Sequence, residues 1–257
     1  MMDFRREADV YTVAQRGAAY DAGLRAYMLG VYNYMSLGLA ITGVLALAMY
    51  MLSVTTNPEQ AAGQMGDLML TSFGRALLSG SFTWVFLLAP LGLVFYMSTR
   101  IDRLSASTAT NLFLIYSAIM GVSLSPILLV YTHTSIANVF FITAASFGGL
   151  SLWGYTTQRN LAPMGAFLTM GLIGLMIALL VNVFVGSNTF QFGLCLIGVL
   201  IFAGLTAWDT QAIKAMYDGS DAGEVATKKS VFGALRLYLD FINMFVMLVQ
   251  LFGQRRD

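Results

Sequence analysis

The sequence predicts an all-α polytopic membrane protein, on three observations. Hydrophobic residues make up 58% of the 257 and charged residues 11%, less than half of the roughly 25% charged that soluble domains carry. Mean hydropathy is +0.73. Apolar stretches recur at the length a helix needs to cross a hydrocarbon core, about 20 residues for roughly 30 Å. The net charge of +1, with no run of Lys or Arg, excludes the basic stripe that a nucleic-acid partner requires. One cysteine (Cys195) and one histidine (His133) exclude an internal disulfide and any Cys-clustered or multi-histidine metal centre. No cofactor is expected.

Seven stretches qualify as membrane helices: Tyr27 to Leu52, Gly80 to Ser98, Ala109 to Tyr131, Ile136 to Thr156, Pro163 to Gly186, Phe190 to Ile213 and Val231 to Phe252. The first is too long, and lies too far from the start, to read as a cleaved signal peptide. No composition shift marks a second domain. Residues 1–26 therefore read as a tail, 27–252 as one seven-helix membrane domain and 253–257 as a short C-terminal tail. Pro90 and Pro126 interrupt the second and third spans. Gly121 and Ser125 provide the small-xxx-small spacing that lets membrane helices approach closely.

Basic residues set the expected orientation, because cytoplasmic connections carry the excess of Lys and Arg. Arg5, Arg6, Arg16, Arg25, Arg100, Arg103, Arg159, Lys214, Lys228 and Lys229 fall on one side and Arg75 alone on the other. The N-terminus is thus expected in the cytoplasm. Arg255 and Arg256 then sit outside if the last helix crosses fully, and a re-entrant last segment is the alternative. The longest outer connection, Ser53 to Ser79, places Met65, Leu68, Met69, Phe73, Ala76 and Leu77 on one helical face. That period reads as an amphipathic helix, either on the membrane surface or covering the bundle.

Two acidic residues stand out by depth. Of the 13 Asp and Glu, only Asp209 and Asp240 lie within apolar spans, where a charge costs about 2.5 to 3.5 kcal/mol on insertion scales. Asp209 is five residues before Lys214 and Asp240 nine residues after Val231, so their depths differ by roughly 6 Å at 1.5 Å per residue. On consecutive antiparallel helices the two carboxylates can meet. A meeting pair cannot ionise fully at low cost; it shares one proton and titrates as a unit. Loss of that proton makes the pair repel, and a dianionic pair offers hard oxygen ligands suited to calcium. A plainer reading stands beside this one: Arg236 precedes Asp240 by four residues, where a helical ion pair forms locally, and Asn243 adds a polar group to the same face.

The stretch Phe232 to Gly253, with its Leu-Tyr-Leu-Asp-Phe-Ile-Asn core at 237–243, resembles the C-terminal signature of the Bax inhibitor-1 family. Trp208-Asp-Thr-Gln211 is similar to the aspartate-bearing end of that family's sixth helix. Leu88-Ala-Pro-Leu-Gly92 and Leu124-Ser-Pro-Ile127 resemble its second and third helices. The resemblance runs from Tyr27 onward. It implies six helices surrounding a central C-terminal one, a bacterial inner-membrane setting and a pH-sensitive calcium leak gated by the family's two aspartates, at Asp209 and Asp240. It also implies a counter-charge at the end of helix two. Arg100 is the nearest match, off by a residue or two, and Arg236 is a departure where a neutral residue is more usual.

Other functions fit parts of this pattern. A presenilin-like aspartyl protease needs Gly-x-Gly-Asp, but Leu237-Tyr-Leu-Asp240 stands at that place. A serine hydrolase needs Ser123 or Ser125 to meet His133. No enzymatic activity is therefore expected. A membrane interaction protein that modulates a membrane protease or death and stress signalling is one alternative to the leak. A proton-coupled cation exchanger is another. The expected partners are the lipid bilayer, calcium ions and protons, with a membrane protease as a further candidate.

Overall fold

The computed structural model describes residues 2–78, 89–90, 92–97, 99–100, 104–221 and 223–256, with side chains from residue 20 onward. Helix α1 (Met2–Ser53) leads into a small sheet of β1 (Val54–Thr55), β2 (Gly63–Met65) and β3 (Leu68–Leu70), followed by the short α2 (Ser72–Leu77). Five long helices follow: α3 (Ala106–Val130), α4 (His133–Thr156), α5 (Ala162–Val185), α6 (Asn188–Ala215) and α7 (Glu224–Phe252). Among the described residues six helices are long and apolar enough to cross a membrane: Tyr20–Ser53 of α1, and α3 to α7. Most of the expected span Gly80 to Ser98, and Arg103, lie outside the described residues; 89–90 and 92–97 within that span are helical.

Helix ends follow local chemistry. Ser105, Thr132 and Ser187 accept from the backbone N–H three residues on, capping α3, α4 and α6, as N-cap hydroxyls do. Gly186 ends α5 in the left-handed conformation at φ 66°, which glycine adopts without a Cβ penalty. Inside α3, Pro126 cannot donate to the carbonyl four residues back. Ser125 supplies the missing donor, its hydroxyl reaching Val122 O at 2.7 Å. Gly121 seats α3 on α1, where a Cβ would stand 2.6 Å from Thr42 O.

The connection after α1 differs from the amphipathic helix expected there. Only Ser72–Leu77 is helical, and the rest pairs as an antiparallel sheet in the order β1-β3-β2. Gly66, at φ 54°, starts a two-residue turn that sets Met65 opposite Leu68, the hairpin geometry that favours Gly at the first central position. The apolar residues serve a small second core: Leu70 and Leu77 bury with Leu129 under Met49, Tyr50 and Val54. The segment covers the ends of α1 and α3.

Burial separates the long helices. In α7, 67% of the membrane-crossing window is buried, against 11% in α5. α7 packs against α1, α3, α4 and α6, while α5 packs chiefly on α6. α7 is one unbroken helix of 29 residues, roughly 44 Å long at 1.5 Å per residue, so the re-entrant alternative does not describe it. Beyond it, Gln254 and Arg256 lie along the α3–α4 turn: Thr132 N–H donates to Gln254 O and Arg256 N–H to Val130 O, both at 2.9 Å. The C-terminus thus lies at the end of the bundle opposite Lys214, Lys228 and Lys229.

Candidate functional site

α6 and α7 are consecutive and antiparallel, and they meet along stripes that alternate steps of four and three residues, the spacing that keeps one helical face on a partner. Gln191, Cys195, Gly198, Phe202, Leu205 and Asp209 form the α6 stripe; Gln250, Met247, Asn243, Asp240 and Arg236 form the α7 stripe read in reverse. Three contacts fix the register. Gln191 donates to Gln250 Oε1 at 2.6 Å, Met247 fills the space beside Gly198, and Arg236 Nη2 donates to Asp209 Oδ1.

Asp209 and Asp240 are 6% and 4% exposed and stand close enough across the interface for each to feel the other's charge. Two carboxylates this close cannot both ionise at low cost, and only a protonated one can donate to the other. Oδ2 of Asp240 is buried and has no hydrogen-bond partner. Arg236 reaches across to Asp209 and makes no local ion pair with Asp240. Its guanidinium carbon lies 5.2 Å from the centre of the Trp208 ring, and Trp208 fills the space that a side chain at Gly165 of α5 would take. Asn243, on the same face of α7, donates to Leu239 O at 2.8 Å and leaves the pair alone.

Hydroxyl bridges hold both helices in place around the pair. Tyr238 bonds Thr42 Oγ1 of α1 at 2.6 Å, and Thr42 donates to Ser117 O of α3 at 2.9 Å. Phe113 and Tyr116 meet the Tyr238 ring edge-on. On α6, Thr210 bonds Ser151 at 2.9 Å, and Ser151 bonds Tyr32 at 2.6 Å. Each is a buried polar group satisfied by another, which tolerates little movement without cost.

A second polar cluster ends the same interface. Asn182 donates to Gln191 Oε1 at 2.8 Å and the Cys195 thiol to Gln250 Oε1 at 3.2 Å. Gln191, Cys195 and Gln250 line a cavity of about 420 Å³ with Tyr131, Asn188 and Arg255. Between the two polar ends the stripe is apolar apart from Asn243. The sequence reading missed this cluster and the Trp208 contact, although the four-three spacing of 191, 195 and 198, and of 243, 247 and 250, was there to be read.

The other candidates fall elsewhere. Arg100 is exposed, and no ion pair among the described residues links it to either aspartate. His133 opens α4 and stacks edge-on to Tyr50 at 4.7 Å, while Ser125 serves the α3 backbone. Among the described residues no group of three or more His, Cys, Asp or Glu could hold a metal. A calcium ion takes six to eight oxygens, so at this pair it would keep water or borrow carbonyl and hydroxyl oxygens. Such a site would hold a cation loosely.

The family described as "Inhibitor of apoptosis-promoting Bax1" matches residues 24–257. The chain belongs to the Bax inhibitor-1 family. Similar family members include the uncharacterized protein RP147 of Rickettsia prowazekii, 43% identical over the whole of both chains. The inner membrane protein YbhL of Escherichia coli K12 is 42% identical, over 91% of this chain and 94% of its own. An uncharacterized protein of Caulobacter vibrioides is 40% identical over both full lengths. Of the stretches that carried the resemblance to the Bax inhibitor-1 family, 208–211 and 232–253 contribute to the α6–α7 interface.

Proposed function

We propose that this Bax inhibitor-1 protein is a proton-sensitive cation leak of a bacterial inner membrane, with calcium as the ion and the Asp209–Asp240 pair as its latch. In this reading the chain crosses the membrane seven times, α7 lies at the centre of the other six spans, and the N-terminus faces the cytoplasm. The activity is transport, without a covalent step. The observation that carries the reading is the meeting of two buried carboxylates across two transmembrane helices.

Charge arithmetic gives the latch its sense. Two carboxylates, one shared proton and the Arg236 guanidinium sum to zero, a tolerable charge for a site this buried. Removing the proton leaves a net charge of −1 and two carboxylates that repel in a medium of low dielectric. The α6–α7 contact then loosens and the pair can accept a cation. Flux therefore rises as pH rises and falls as the proton returns.

Calcium entry into liposomes holding the purified protein tests this, with an internal dye as the reporter. Entry above that of empty liposomes, steeper at higher pH and collapsing with the calcium gradient, is the expected result. Uphill calcium movement driven by a proton gradient would instead make the protein an exchanger. No entry at any pH would remove the transport reading and leave partner binding as the activity to seek.

A further inference from the structure

We propose that Arg236 is a tethered cation that occupies the ion site at Asp209 and Asp240, so that an incoming cation must displace it. The proposal rests on the reading that this pair accepts a cation, and it identifies what the cation competes with.

Position is the first ground. Among the described residues Arg236 is the one basic side chain bonded to the pair. It lies one helical turn from Asp240, on the side toward the start of α7. Its side chain is 27% exposed while that of Asp209 is 9% exposed. The guanidinium thus stands between the buried carboxylates and water, on the approach from the Lys-rich end.

The second ground is that Asp209 is not the only group that holds Arg236. The Trp208 ring lies 5.2 Å away, within the distance at which an aromatic face attracts a guanidinium. Gly165 leaves the room that keeps Trp208 there. Releasing Asp209 therefore does not strand the charge. The guanidinium is a cation fixed to the chain, so an incoming cation must compete with it for the carboxylates.

The third ground is an incomplete donor set. Oδ2 of Asp240 is buried and unpartnered, whereas Arg236 engages Oδ1 of Asp209. One oxygen of the pair is covered by the tethered cation, and another is left for a ligand that Arg236 does not supply.

The test compares wild type with Arg236→Gln and Arg236→Lys in two readouts: calcium entry into liposomes, and the calcium concentration that half-stabilises the detergent-solubilised protein against heat. Arg236→Gln should lower that concentration roughly tenfold or more, since it removes a unit charge from the immediate neighbourhood of the ion, and should raise entry at low calcium. Arg236→Lys retains the charge and should stay near wild type. Equal calcium dependence in wild type and Arg236→Gln would overturn the proposal, even if the variant melts at a lower temperature. If wild type admits calcium and Arg236→Gln admits it no better at any concentration, the leak stands and the competitor role falls. If no form admits calcium but Arg236→Gln gains calcium-dependent stability, the leak falls and the competitor role stands.

Discussion

At Asp209 one carboxylate serves two neighbours, the Arg236 guanidinium and the Asp240 carboxyl. The two aspartates are therefore unequal when changed to Asn. Asp209→Asn leaves Arg236 without its ion partner and should lower stability by about 1.5 to 3 kcal/mol, the range for a hydrogen bond to a charged group. Asp240→Asn keeps the shape and the Arg236–Asp209 pair, so its cost should be smaller. Thermal unfolding of both in detergent ranks them, and the reverse order would contradict the geometry. Outside the spans, the Ser220 backbone N–H and hydroxyl donate to Asp218 at 2.9 and 2.8 Å, and these bonds hold that carboxyl below its usual value. A depressed folded-state value means the contribution is present above the unfolded pKa near 3.9 and is lost as pH falls through the folded value. Hydrogen exchange of the Ser220 amide, corrected for its intrinsic rate, should show protection at neutral pH and lose it below about pH 4, and Asp218→Ala should abolish it throughout. Much of the site could be read from residue types alone, because a carboxylate inside an apolar span is costly enough to be conspicuous. The direction of Arg236 could not: positions 236 and 240 are helical neighbours in any sequence, and only the packing of α6 on α7 shows that the guanidinium crosses to the other helix.

Between elements, glycine decides how closely helices approach. A Cβ at Gly154 of α4 would lie 2.2 Å from Ala207 O, a backbone atom of α6 that cannot move aside, whereas one at Gly174 of α5 would meet nothing within 4 Å. Gly154→Ala should therefore destabilise by about 1 to 3 kcal/mol, and Gly174→Ala should be neutral or gain about 0.5 to 1 kcal/mol from its lower backbone entropy. Paired thermal melts decide; equal effects would mean the α4–α6 contact is looser than described. Ala207 lies two residues before Asp209, so Gly154 also bears on where the pair stands. Six spans were legible from apolar length, since a bilayer fixes that length whatever the packing. The outer connection was not. Its apolar residues satisfy a helical period as well as a hairpin, and the deciding feature was the turn chemistry of Gly66-Asp67.

For the molecule as a whole, the proposed latch ties α7 to α6 through a proton shared by Asp209 and Asp240, while Tyr238, Thr42 and Ser117 tie α7 to α1 and α3. The most buried helix is thus held by one link that a proton can change and by others that it cannot. A change at the pair would move α6 against a fixed α7. At the far end of the same interface, the Gln191–Gln250 contact gives such a movement a second point to open. Calcium entry into liposomes from pH 5 to 8, for wild type beside Asp240→Asn, tests the shared proton most directly. Entry should rise with pH in wild type, and Asp240→Asn should flatten that dependence, because one carboxylate paired with Arg236 has no proton to share. A pH profile for Asp240→Asn that overlays the wild-type profile would contradict the latch.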